Sequence, residues 1–159
     1  MDGGDQQLET NYTSRLIEVT EGEWAGWSYY PGGDPFEDLA GIFYWKREAD
    51  GGLVCAFRAE RKHMNGGGFM HGGCVMTFAD YSLFVIARDA IEGSSTVTAT
   101  FNCELVGTAR EGDLVECRGE VVKPGRSMVF VRGIIANASG GGEPMASFSS
   151  VLKKTGKQP

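Results

Sequence analysis

The chain has 159 residues, 42% of them apolar and 23% charged, with a formal net charge of −6. That length suits one domain with a core large enough to need no disulfide or metal staple. The acidic balance argues against sequence-independent nucleic-acid binding, which needs a basic surface to displace counterions.

The chain starts Met1-Asp2-Gly3-Gly4-Asp5, without the basic start and apolar run of a signal peptide. The longest apolar stretches, near Phe84 to Ala87, are far too short to span a bilayer. The expectation is a cytoplasmic protein with no membrane partner. Residues 1–22 are expected to be a mobile N-terminal segment, 23–154 the folded domain and 155–159 a tail. Trp24 to Phe36 is aromatic but broken by Pro31, Gly32, Gly33 and Pro35, which suits a loop or a short turn of helix laid across apolar surface. Ile42 to Arg47 and Leu53 to Glu60 read as two strands, joined into a hairpin by Asp50-Gly51-Gly52.

His63 to Gly73 then packs Gly66, Gly67, Gly68, Gly72 and Gly73 around two histidines and Asn65. From Cys74 to Ile91 there is neither Gly nor Pro. Val75, Phe78, Ala79, Leu83, Ile86, Ala87 and Ala90 recur on nearly every side, which predicts a buried helix. Thr77, Asp80, Tyr81 and Arg88 form its polar stripe. After Gly93 the period switches to two. Thr96 to Leu105 alternates, with Thr96, Thr98, Thr100 and Asn102 assigned to one face. Leu114 to Val122, Met128 to Ala136 and Met145 to Leu152 follow as strands, separated by turns at Glu111-Gly112-Asp113, Pro124-Gly125 and Ser139 to Glu143. The basic segment from Lys153 is expected to fray. Strands joined by short turns favour an antiparallel sheet. One sheet wrapped around the helix would hide its apolar circumference, giving an α+β fold with a single core.

Asp80 lies mid-helix among apolar neighbours, so its carboxylate must be paired, protonated or used. A hydrogen bond to a nearby hydroxyl or across a subunit interface would satisfy it as well as catalysis would. Gly72 and Gly73 fall on the first turn of the helix, where backbone N–H groups are free and the dipole is positive. Such a terminus can receive an oxygen that gains negative charge. Asn65 can bind a carbonyl oxygen or orient a water; His71 can cap the helix, fix the loop or titrate. Cys55, Cys74, Cys103 and Cys117 form no CxxC pair and no zinc-ligand spacing, and read as small buried hydrophobes. Cys74 is the one position where a helix terminus would favour a thiolate, against apolar surroundings that oppose it. No G-x-S-x-G is present.

The run from His63 to Gly73 fits H-x-N-x-x-G-x-x-H-G-G, and a helix bearing Asp80 follows directly. Together with Asp34-Pro35-Phe36, the strand Val97-Thr98-Ala99-Thr100-Phe101-Asn102 and the turn Arg110-Glu111-Gly112-Asp113, this resembles the acyl-CoA thioesterases of the hotdog superfamily, in particular the PaaI-like group. The resemblance runs from about Trp24 to Lys154. It implies a hotdog fold, an antiparallel sheet wrapped around one long central helix. It implies a homodimer at minimum, with a tetramer favoured, whose sheets join edge to edge. It implies that the Gly72 N–H polarises the thioester carbonyl with help from Asn65. Asp80 from the partner subunit activates water or attacks the carbonyl, Thr98 orients it, with Thr100 as the alternative, and His71 holds the loop. Here Gly107-Thr108 stands where that family usually has a proline. Gly73, Leu83 and Phe101 are expected at the substrate, with Phe78 beside them. Lys123 and Arg126 are candidates for the CoA phosphates, with Arg61 and Lys62 as further cations. No metal and no resident cofactor is implied, because CoA is part of the substrate. A hotdog hydratase or dehydratase using His71 and Asp80, and a non-catalytic acyl-CoA-binding oligomer, are the competing readings.

Overall fold

The structure is a computed structural model that describes residues 15–157. Two short strands, β1 (Ile17–Glu18) and β2 (Ser28–Tyr29), pair with each other ahead of helix α1 (Pro35–Ala40). Residues 1–14 of the expected mobile segment lie outside the described residues, whereas 17–18 are held by β2. The hairpin of β3 (Tyr44–Arg47) and β4 (Leu53–Arg58) forms as expected, in register Trp45 to Cys55. A short 3-10 turn (Arg61–His63) leads to the long helix α2 (Gly72–Ile91), then to β5 (Ser94–Leu105), β6 (Leu114–Pro124), β7 (Met128–Asn137) and β8 (Glu143–Lys157). All eight strands join one antiparallel sheet in the order β1-β2-β3-β4-β6-β7-β8-β5.

The sheet wraps α2, which packs on β4 to β8. Phe78 and Leu83 are wholly buried, and the Phe78 ring lies 4.7 Å from Phe57 and 5.2 Å from Phe43. Burying side chains of this size stabilises by about 1.5–3 kcal/mol each, so the helix is held mainly by its apolar girdle. No helix among the described residues is long and apolar enough to cross a membrane.

Three expectations need correction. The polar stripe on α2 is narrower than expected: Tyr81 is buried in the aromatic core and donates its hydroxyl to the Phe43 carbonyl at 3.1 Å. A ring can join a core once its one polar atom finds a partner. Strand β5 does not alternate evenly. The irregularity between Thr98 and Thr100 gives β5 an extra residue, Ala99, so Thr98 and Phe101 face inward while Thr100 is exposed; a second irregularity, between Ser95 and Thr96, leaves the extra residue in β8. Strand β8 does not end at Leu152 but runs to Lys157, because Lys153, Lys154 and Lys157 pair with Val97, Thr96 and Ser94. Backbone bonds to an edge strand hold that basic segment, and hydrophobic patterning does not report them.

Helix α1 is short but tightly specified. Asp34 caps it, accepting from the N–H groups of Phe36 and Glu37 at 3.0 and 3.1 Å, and Pro35 takes the first position, where no N–H is needed. Gly41 ends it at φ 143°, where an added Cβ would lie 2.8 Å from His63 Nε2. His63 is buried and works as a clamp: Nδ1 accepts from the Glu60 N–H at 2.8 Å and Nε2 donates to the Ala40 carbonyl at 2.6 Å. This ties the end of α1 to the loop before α2 and lays α1 against α2.

Candidate active site

The helix starts two residues before the apolar pattern does. His71 is the N-cap, and its Nδ1 accepts from the Gly73 N–H at 2.9 Å. Gly73 is therefore satisfied within the turn. The His71 carbonyl takes the Cys74 and Val75 N–H groups, at 2.9 and 3.2 Å. The Gly72 N–H has no acceptor among the described residues, so it is the donor the terminus leaves for something else. A Cβ at Gly72 would come 2.7 Å from Leu105 Cδ1. Asn65 organises the preceding loop: its Oδ1 accepts from the N–H groups of Gly67 and Phe69 at 2.8 and 3.2 Å. Its carboxamide oxygen is thereby spent on the loop. Burial pushes the Cys74 thiol up to about 11, outweighing the opposing charge of Lys62, so Cys74 is a thiol at neutral pH.

Asp80 is half-buried and accepts a 2.7 Å hydrogen bond from Thr98 Oγ1. Two clefts meet at this pair. One, of about 420 Å³, is lined by Phe36, Glu37, Met76, Thr77 and Phe101. The other, of about 830 Å³, runs along α2 past Tyr30, Phe84 and Val85 to Arg88, whose guanidinium lies 4.0 Å over the Trp45 ring. Of the expected substrate-binding residues, Phe101 lines a cleft with Asp80. Leu83 does not: it is fully buried in the core and lines neither cleft. Phe78, expected beside it, is likewise core. Lys123 and Arg126 are exposed at the β6–β7 turn and line neither cleft. Among the described residues, no group of three or more His, Cys, Asp or Glu is placed to hold a metal ion.

Glu37 was not among the residues singled out from the sequence. It projects from α1 into both clefts beside Asp80. Burial first, then the carboxylates of Asp34, Asp80 and Asp38, push its carboxyl up to about 7. The signal that could have located it was Asp34-Pro35, a capping residue followed by a proline suited to a first helical position.

Gly72 and Asp80 are eight residues apart on one helix, which at 1.5 Å per residue puts them about 12 Å apart along its axis. A carbonyl group cannot touch both in one chain. His71 and Asp80 are as widely separated, so the acid–base pair of a hydratase does not form within one chain either.

Residues 67–143 match the family described as the thioesterase superfamily. A Pseudomonas aeruginosa protein, "Putative esterase PA0474", is 35% identical over 114 residues, covering 67% of this chain and 85% of that one. A hypothetical thioesterase protein of Streptococcus pneumoniae TIGR4, solved with coenzyme A, has the same fold: TM-score 0.62 at 22% identity, over 74% of this chain and 91% of that one. The Escherichia coli PaaI protein of the phenylacetic acid degradation operon does too, with TM-score 0.59 at 18% identity over 67% and 74%. With a sheet wrapped around one helix and an aspartate facing a cleft from that helix, this chain belongs to the thioesterase superfamily, as a hotdog-fold thioester hydrolase.

Proposed function

We propose that the protein hydrolyses acyl-CoA thioesters at a site shared between two subunits, with Asp80 as general base. The observation that carries this is the Asp80–Thr98 hydrogen bond facing a cleft, on the same helix whose first N–H, at Gly72, is left without an acceptor. Thr98 holds one carboxylate oxygen and leaves the other for a water. The Gly72 N–H of one subunit receives the carbonyl oxygen as it becomes an oxyanion, and Asp80 of the other takes the proton of the attacking water. His71 keeps the terminus in shape through Gly73, and Asn65 does the same for the loop. The twelve-residue edge strand β5 is free of a partner on its outer side among the described residues and suits edge-to-edge pairing of two sheets. A dimer is the minimum assembly, and a pair of dimers is the favoured one. Phe101, with Phe36 and Met76 lining the same cleft, receives the acyl group. The cytoplasm, where acyl-CoA is available, is the compartment.

The test is release of free thiol from a panel of acyl-CoAs. Turnover with incorporation of heavy oxygen from labelled water into the free acid alone supports the base. Single-turnover incorporation into Asp80 shows instead that its carboxylate attacks the carbonyl. Loss of enoyl absorbance without thiol release would assign the site to a hydratase.

A further inference from the structure

We propose that Glu37 is a second catalytic carboxyl of this site, the acid that protonates the departing sulfur. The inference rests on the reading of Asp80 as the base that activates water.

Its geometry comes from α1. Glu37 is half-buried, its N–H is held by Asp34 at 3.1 Å and its carbonyl accepts the Gly41 N–H at 3.0 Å, so the backbone of this cleft-lining residue is fixed. It shares both clefts with Asp80 and Thr98, and lies across from them on a different element. The groups facing it are Asp34 and Asp38 on its own segment, Tyr30 ahead of α1, and Asp80, Tyr81 and Arg88 on α2. The one cation in that set, Arg88, lies over the Trp45 ring, and no ion pair reaches Glu37 among the described residues. A carboxyl with acidic neighbours and no cation keeps its proton near neutral pH, consistent with the rise to about 7. Two carboxyls in one cleft, one of which is placed to hold its proton, are an arrangement that can divide acid from base.

The step balances. Asp80 takes a proton from water as the water oxygen bonds to the thioester carbon. The tetrahedral intermediate collapses, the carbon–sulfur bond breaks, and the sulfur takes the Glu37 proton. Free acid and free thiol leave; Asp80 is then protonated and Glu37 ionised. Transfer of that proton from Asp80 to Glu37, through solvent in the shared cleft, restores the resting state.

The test is Glu37→Gln, assayed on an acyl-CoA and on an S-aryl thioester of the same acyl group. An aryl thiolate gains little from a proton as it leaves; the more basic alkyl thiolate gains more. The expected result is a fall in kcat/KM of about tenfold to a hundredfold on the acyl-CoA, with little change on the aryl ester. The decline in wild-type activity as pH rises through about 7 should also disappear in the variant. Glu37→Asp, which keeps an acid on a shorter arm, should recover part of the loss and serves as the comparison if Glu37→Gln folds poorly. Equal losses on both esters, or an unchanged alkaline limb, would overturn the proposal while leaving the role of Asp80 intact. A wild-type protein that releases thiol from neither ester would overturn the thioesterase reading and this inference with it.

Discussion

Thr98 Oγ1 donates a 2.7 Å hydrogen bond to Asp80 Oδ1, joining the strand after the long helix to the middle of that helix. Strand β5 carries an extra residue just beyond Thr98. Without that irregularity, Thr98 and Phe101 could not both face α2. Thr98→Val keeps the shape and removes the donor. A hydrogen bond to a charged group contributes about 1.5–3 kcal/mol, so kcat should fall about tenfold or more. Steady-state kinetics with near-wild-type melting would confirm the role. Unchanged kcat would make the bond a packing feature.

Asp80→Asn retains size and hydrogen-bonding capacity but cannot accept a proton from water. Its kcat should fall by about a hundredfold or more while substrate affinity changes little. The melting midpoint should hold or rise, because a half-buried charge no longer has to be desolvated. A less stable variant that turns over normally would reduce Asp80 to a structural residue.

Gly72 allows its N–H to be tested separately from its size. Position 72 is the first residue of the helix, where proline is tolerated, and His71 at φ −68°, ψ 133° has the conformation that precedes proline comfortably. Gly72→Ala and Gly72→Pro both press a Cβ towards Leu105; only the proline deletes the N–H. Gly72→Pro should lose about a hundred- to a thousandfold in kcat relative to Gly72→Ala. Equal activity in the two variants would remove the N–H from the mechanism.

If the site is shared, two inactive variants should rescue each other. Asp80→Asn and Gly72→Pro, unfolded and refolded together in equal amounts, give half mixed dimers, each with one intact site and one doubly defective. About a quarter of wild-type activity should return. No rescue, with mixed dimers shown to form, would mean that one chain completes its own site.

Leu83→Ala should cost about 2–5 kcal/mol of stability and leave chain-length preference unchanged, because Leu83 lies in the core and not in the cleft. Phe101→Ala should do the reverse. His63 makes stability sensitive to pH. Burial first, then nearby Lys62, holds its imidazole below the usual histidine value, despite the opposing Ala40 carbonyl and Glu60. The unfolded chain then binds a proton that the folded chain refuses, so stability should fall as pH drops below about 6.5. Denaturant midpoints measured through that window should slope less in His63→Gln than in the wild type.

Local patterning determined the strands, the buried helix and their order, because hydrophobic period and turn residues act over a few positions. It also put Asp80 within the helix, and Gly72 with the loop around Asn65 at the helix start. Tertiary structure decided the rest. The β5 irregularity, visible only in its pairing with β8, chose Thr98 over Thr100. The clamp between His63 and Ala40 laid α1 on α2 and brought Glu37 beside Asp80, forty-three positions on in sequence. Packing against the sheet turned Leu83 into the core and left Phe101 at the cleft. A side chain's period reports which residues are apolar. Which of them face a ligand depends on register and on contacts between distant segments, and those exist only once the sheet has closed around the helix.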